Sequence, residues 1–185
     1  MDTGITLILG GARSGKSTFA EQLARNSDTA VTYLATSDIC DKEMEERVRM
    51  HRERRPKEWN TWEGAPEELP EAVAKMEGTL ILDCLTMWLT RLTFATDAAE
   101  NGTEEDWHVR EQEIRQLTET LCGSAGKNTH LIIVSNEVGF GIVPENRLAR
   151  RFRDMQGRIN QLVANRAANV ALVVAGCPLW VKAEK

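Results

Sequence analysis

The sequence predicts an α/β fold, a mostly parallel sheet flanked by helices, from three observations. Short apolar runs rich in β-branched residues recur along the chain, helical spacing fills the stretches between them, and a glycine-rich turn joins the first run to the first helix. The runs are ITLIL (5–9), VTYLA (31–35), TLILD (79–83), HLIIVS (130–135) and VALVVA (170–175). They are continuous rather than alternating, as strands are when both faces of a parallel sheet are covered. Strands alternating with helices give a doubly wound arrangement.

The helices follow in order. TFAEQLA continues the glycine turn, and DCLTMWL after the third run can start another helix. Over 104–122, Trp107, Ile114, Leu117 and Leu121 share a side, and over 147–163 Leu148, Phe152, Met155, Ile159 and Leu162 do the same. Residues 95–106 (ATDAAENGTEED) read as a solvated loop entering a helix. Residues 38–63 are too long for a plain connection, and they place a histidine among arginines and carry Trp59 and Trp62.

A length of 185 residues with 42% hydrophobic and 28% charged residues predicts one domain spanning 1–185. No apolar run approaches the roughly 20 residues that cross a bilayer, and the opening MDTGITLILGG lacks the basic start of a signal peptide. The expectation is a cytoplasmic protein without membrane insertion. A net charge of −5 argues against a nucleic-acid partner, although RVRMHRERRPK and RLARRFRD are basic clusters that can meet phosphates. Cys40, Cys84, Cys122 and Cys177 are widely spaced, which suggests reduced thiols rather than a zinc site or disulfides.

GGARSGKS, residues 10–17, satisfies G-x-x-x-x-G-K-[ST] between a buried strand and an amphipathic helix, the context a P-loop requires. The glycines let backbone N–H groups turn inward around phosphate oxygens, and the following helix adds its positive end. Lys16 would bridge the β and γ phosphates, and the Ser17 hydroxyl would bind Mg²⁺. Asp83, closing the third strand, is the best second metal ligand; its other reading is the cap of the next helix. The chain has no N-K-x-D guanine-reading segment of a GTPase switch, so a small-molecule transferase is favoured over a switch or a motor.

In EMEERVRMHRERRP, Met44, Val48 and His51 share a helical face, and Arg47, Arg49, Arg52, Arg54 and Arg55 surround it with positive charge. A neutral imidazole is a nucleophile towards phosphorus, and guanidiniums would stabilise charge on the phosphoryl oxygens. On these residues alone the preferred reading is a charged surface helix whose histidine covers the core. His108 and His130 read as structural. After the fourth strand, SNEVGFGIVPENRLARRFRD carries Val138, Phe140, Ile142 and Val143, costly to leave in water without a use, in a loop made pliable by Gly139 and Gly141 and stiffened at its exit by Pro144. These residues form either a substrate wall or packing against the core or a neighbouring subunit. Asn136 and Glu137 stand at the strand end, where a polar pair can orient a substrate hydroxyl or a metal-bound water.

Together, GGARSGKS, YLATS, MHRERRP, LILDCLT and above all NEVGFGIVPENRLARRFRD resemble the bifunctional adenosylcobinamide kinase and adenosylcobinamide-phosphate guanylyltransferase family of cobalamin biosynthesis, over nearly the whole chain. The resemblance implies a P-loop NTPase-type fold and two reactions. The γ phosphate of ATP or GTP goes to a hydroxyl of adenosylcobinamide; GTP then gives GMP to adenosylcobinamide phosphate through a guanylylated histidine, yielding adenosylcobinamide-GDP and pyrophosphate. The histidine maps onto His51, which reverses the surface-helix reading. With Lys16, it makes the catalytic pair that the resemblance implies. The implied nucleotide contacts are Gly10, Gly11, Ala12, Arg13, Ser14, Gly15, Lys16, Ser17, Ala35, Thr36, Ser37, Arg52, Glu53, Arg54, Arg55, Glu63 and Asp83, with Mg²⁺ at Ser17 and Asp83.

Two positions depart from part of the family. Met50 precedes His51 where some members have a second histidine, and Asp83 stands where some have glutamate. A homotrimer is also implied, with Trp59 and Trp62 or the VGFGIV loop as candidates for its interface. Two other classes remain as alternatives: a P-loop kinase without a covalent intermediate, and a nucleotide-dependent regulator.

Overall fold

The structure is a computed structural model that describes residues 4–36, 46, 49–50, 52–53, 55–96 and 101–183. The elements are β1 (Gly4–Gly10), α1 (Lys16–Arg25), β2 (Val31–Ala35), β3 (Asn60–Glu63), a 3-10 turn (Pro66–Glu68) running into α2 (Leu69–Ala74), β4 (Gly78–Asp83), α3 (Leu85–Phe94), α4 (Glu104–Ser124), β5 (Thr129–Asn136), α5 (Arg147–Arg166), β6 (Asn169–Val174) and β7 (Cys177–Lys182). They form a seven-stranded sheet in the order β3-β2-β4-β5-β1-β6-β7. Every neighbouring pair is parallel except β6 and β7.

Side chains alternate between two apolar layers, which explains why the strand runs are continuous. Ile5 and Leu7 of β1, Leu80 and Leu82 of β4, and Leu131 and Ile133 of β5 face Val73, Trp88, Leu89, Trp107, Ile114, Met155 and Ile159 of α2 to α5. Their neighbours Ile8, Ile81, Ile132 and Val134 face the other way, onto Ala20 and Ala24 of α1 with Phe19 and Leu23 beside them. Trp88 is fully buried, and its indole N–H donates to the Pro66 carbonyl at 2.7 Å, tying α3 to the turn before α2.

All five expected strands are present, and the two long helices extend slightly beyond 104–122 and 147–163. On α5, Val163 is buried while Leu162 is only half-covered. Two edge strands were not expected. β3 continues the sheet beyond β2 with Glu63 level with Ala35. β7 returns along β6 through Ala175 and Gly176, whose φ values of 51° and 81° give the two left-handed residues of a tight hairpin turn. Trp59 and Trp62, candidates for a subunit interface, each pack partly against one of the chain's own apolar layers.

The two long helices start on side-chain caps of the expected type. Thr103 Oγ1 accepts from the Asp106 N–H at 3.2 Å and the Thr103 N–H donates to Asp106 Oδ2 at 2.8 Å, a capping box that starts α4. Replacing Thr103 with alanine is expected to lower stability by about 1 kcal/mol, measured as a shift in the urea midpoint with an unchanged slope. Asn146 Oδ1 accepts from the Ala149 N–H at 2.9 Å and starts α5.

Candidate nucleotide and acceptor site

β1 ends in the sheet interior, and the chain turns over residues 11–15 directly into α1. Gly15 caps α1 with φ 96° and ψ 3°, a left-handed conformation that favours glycine. The first turn of α1 carries no acidic residue and its start has no side-chain cap, so its unpaired N–H groups and positive end face the loop. A Cβ on Gly10 would lie 2.4 Å from Ser14 Oγ and 2.7 Å from the Val173 carbonyl oxygen. The β6–β7 hairpin closes on this loop from outside, its Gly176 N–H donating to the Ser14 carbonyl at 2.7 Å. Ser14 Oγ is buried in the loop with no hydrogen-bond partner, and the Lys16 ammonium donates to the Gly11 carbonyl at 3.1 Å. A phosphate group would satisfy both. Because Val173 contributes backbone to the clash, Gly10→Ala is expected to lower stability by about 1–3 kcal/mol and to weaken GTP binding. Denaturation and a nucleotide titration check the two effects.

The parallel register sets the end of β4 beside that of β2, with Asp83 level with Ala35. Ser17 Oγ donates to Asp83 Oδ1 at 3.2 Å, so the two residues expected at Mg²⁺ are in contact. The other oxygen, Asp83 Oδ2, accepts from the Tyr33 hydroxyl at 2.9 Å. Burial first, and then the Asp83 charge, push the Tyr33 phenol well above its ordinary range, which keeps it a donor. The Arg55 guanidinium lies over the Tyr33 ring, its Cζ 3.1 Å from the centroid. Thr36, almost fully buried, donates its hydroxyl to the Cys84 carbonyl at 2.9 Å and so binds the end of β2 to the residue after Asp83.

Hard oxygen donors on a serine and an aspartate suit Mg²⁺, which keeps most of its shell as water and phosphate oxygen. Among the described residues no cluster of three or more His, Cys, Asp or Glu is present. Burial raises the Cys84 and Cys122 thiols to about 11, which leaves both protonated and unreactive at neutral pH.

Of the segment expected to carry guanylyl transfer, Ser37, His51 and Arg54 lie outside the described residues, as do Met44, Arg47 and Val48. Arg52 pairs with Glu63 at the end of β3, and Glu53 pairs with Arg49 at 2.7 Å. Glu63, Ala35 and Asp83 close the adjacent strands β3, β2 and β4 at the same end of the sheet, with Arg52 paired to Glu63 and Arg55 over Tyr33. Ala12 and Arg13 are exposed on the outer rim of the loop.

The loop after β5 begins beside the P-loop, the Glu137 N–H donating to the Gly10 carbonyl at 3.1 Å. Glu137 Oε1 accepts from the Gly139 N–H at 2.7 Å, so this carboxylate shapes its own loop. Phe140 is 83% and Ile142 96% exposed. Beside the start of α5 lies an apolar cavity of about 280 Å³ between Thr90 and Phe94 of α3 and Leu148 and Phe152 of α5. A larger cavity of about 520 Å³, bordered by Arg25, Val31 and Trp59, sits where β2 begins, at the opposite end of the strand from Asp83.

The basic cluster RLARRFRD, expected to be able to meet phosphates, is engaged within the chain. Arg147 and Arg151 both pair with Glu104, Arg150 donates to the Pro144 carbonyl at 2.9 Å, and Arg153 lies 3.4 Å from Asp154. These contacts clamp the exit of the β5 loop onto α4. His130, expected to be structural, bonds Thr6 Oγ1 at 2.9 Å across β1 and β5.

Sequence reasoning missed a buried polar group at the root of the same loop. Ser135 Oγ donates to Asn160 Oδ1 at 2.7 Å, Gln156 Nε2 donates to Ser135 Oγ at 3.0 Å, and Asn160 Nδ2 donates to the Asn136 carbonyl at 3.1 Å. Gln156 and Asn160, four residues apart on the apolar side of α5, were the available signal.

Comparisons with known proteins bear on the family and the fold. The family model of cobinamide kinase / cobinamide phosphate guanyltransferase matches residues 6–181. A bifunctional adenosylcobalamin biosynthesis protein CobU from Escherichia coli is 41% identical over 180 residues, 95% of this chain and 98% of that protein. A bifunctional adenosylcobalamin biosynthesis protein CobP from Pseudomonas aeruginosa is 41% identical over 181 residues, 96% of this chain and 97% of its own length. Among solved structures, an ATPase of the type III secretion system of pathogenic bacteria superposes with a TM-score of 0.59 at 12% identity, over 91% of this chain and 50% of that one, a likeness of fold alone. With the P-loop, the sheet and a match spanning 6–181, the chain belongs to the cobinamide kinase / cobinamide phosphate guanyltransferase family.

Proposed function

We propose that one nucleotide site built on the P-loop serves both reactions of this enzyme, with Lys16, Ser17 and Asp83 carrying phosphoryl transfer and His51 carrying guanylyl transfer. The enzyme phosphorylates adenosylcobinamide with ATP or GTP and then transfers GMP from GTP to adenosylcobinamide phosphate, as its family membership gives. The observation that carries the site assignment is the Ser17 to Asp83 contact between the first turn of α1 and the end of β4, which joins the two residues expected at the metal.

In the first step the N–H groups of residues 11–17 and the start of α1 hold the phosphates. Lys16 leaves the Gly11 carbonyl for the β and γ oxygens and neutralises charge there. Mg²⁺, held by Ser17 and Asp83, would supply charge neutralisation across the phosphates. The acceptor hydroxyl attacks the γ phosphorus and the bond to the β-phosphate oxygen breaks. In the second step a ring nitrogen of neutral His51 attacks the α phosphorus of GTP, and pyrophosphate leaves. An oxygen of adenosylcobinamide phosphate then attacks the same phosphorus, the P–N bond breaks and His51 is restored. Arg52 and Arg55, close to His51 in the chain, would bring positive charge to this step; Arg52 pairs with Glu63 and Arg55 lies over Tyr33.

Phe140 and Ile142, exposed on the β5 loop, and the apolar cavity bordered by Phe94, Phe152 and, at the loop's exit, Asn146, support placing the corrin ring on this face. A homotrimer is the assembly this reading expects, and Leu179, Trp180 and Val181, exposed along edge strand β7, offer an apolar surface for it. Sedimentation equilibrium checks the mass. Label from the γ position of ATP or GTP should appear on adenosylcobinamide, and label from the α position of GTP on adenosylcobinamide phosphate. Transfer of γ label without α label would leave a simple kinase, and nucleotide hydrolysis without any transfer would leave a regulator.

A further inference from the structure

Asp83 divides its two oxygens between two donors, one on helix α1 and one on strand β2. Oδ1 meets Ser17 at 3.2 Å, and Oδ2 meets the Tyr33 hydroxyl at 2.9 Å. Tyr33 is itself immobilised: it is 3% exposed, it packs among Ile8, Ala20 and Ile81, and the Arg55 guanidinium covers its ring. An aspartate whose second oxygen is engaged by a fixed donor has lost most of its freedom to rotate about the carboxylate, and the oxygen facing Ser17 stays aimed there.

We propose that Tyr33 is a positioning residue of the metal–nucleotide site, holding Asp83 so that one carboxylate oxygen remains directed to the Ser17 side. This rests on the reading that Ser17 and Asp83 hold Mg²⁺. Tyr33 need not touch the nucleotide, and its effect passes through the carboxylate alone.

The test uses the full-length protein with GTP and Mn²⁺ as a spectroscopic stand-in for Mg²⁺, with bound metal read by electron paramagnetic resonance. Tyr33→Phe removes only the hydroxyl and leaves the ring and its Arg55 contact. It is expected to weaken Mn²⁺ binding about tenfold and to raise by a similar factor the Mg²⁺ concentration for half-maximal phosphorylation of adenosylcobinamide. In an Asp83→Asn background the same change should have no further effect. Unaltered metal binding by Tyr33→Phe, with Asp83→Asn impaired, overturns the role of Tyr33 alone. Unaltered binding by Asp83→Asn overturns the metal reading and the role of Tyr33 with it. Equal losses in both backgrounds assign the effect to general structure and also overturn the proposal. Since Tyr33 is the sole tyrosine, biosynthetic 3-fluorotyrosine gives one fluorine line without any substitution. That line should broaden when Mn²⁺ and GTP bind, and a line that stays sharp contradicts the placement.

Discussion

His51→Ala is expected to abolish GMP transfer while leaving phosphorylation of adenosylcobinamide largely intact. The covalent step has no substitute: without the imidazole no P–N bond forms, and the loss on removing a covalent nucleophile is on the order of 10⁶-fold. On the proposed reading phosphoryl transfer uses the P-loop, Ser17 and Asp83, whose contacts join the P-loop, α1 and the end of β4 without His51. Separate assays with adenosylcobinamide and with adenosylcobinamide phosphate check the split. Equal loss in both assays would assign His51 to the shared site instead.

Lys16→Ala is expected to reduce both reactions, and phosphorylation by about 10²–10³-fold, the scale of removing one preorganised charge donor from a developing phosphoryl oxyanion. The ammonium already lies in the cradle, 3.1 Å from the Gly11 carbonyl, so the substitution removes charge without removing a packed core group. Guanylyl transfer should fall mainly through weaker GTP binding, seen as a raised KM for GTP, because Lys16 faces the β and γ phosphates rather than the α phosphorus that His51 attacks. Steady-state kinetics over a range of GTP concentrations separates the two effects.

The parts legible in the sequence are those whose signal is local. The P-loop is read from eight consecutive residues because its function lies in backbone conformation, and Gly10 and Gly15 are required by close approach and by a positive φ. The five inner strands announced themselves by apolar runs, since helices cover both their faces. β3 did not, because NTWE is a short edge strand with only Trp62 half-buried. Nor did β7, whose proline and exposed apolar residues are tolerated only at an edge.

Tertiary partners account for the rest. Nothing near Arg147 and Arg151 in the chain reveals that Glu104 neutralises them, so charge alone suggested phosphate binding. Tyr33 looked like one more strand residue until the register of β2 and β4 brought its hydroxyl to Asp83. Gln156 and Asn160 likewise gain their meaning from Ser135 on a strand that precedes them by more than a loop.

The central claim is that guanylyl transfer passes through His51 on the P-loop scaffold. Incubating the protein and its His51→Ala variant with Mg²⁺ and GTP labelled at either the α or the γ phosphate, then denaturing, measures it directly. The account predicts acid-labile, base-stable label on the unmodified protein from the α position only, and none on the variant. An unmodified protein that stays unlabelled while converting adenosylcobinamide phosphate to adenosylcobinamide-GDP would contradict it.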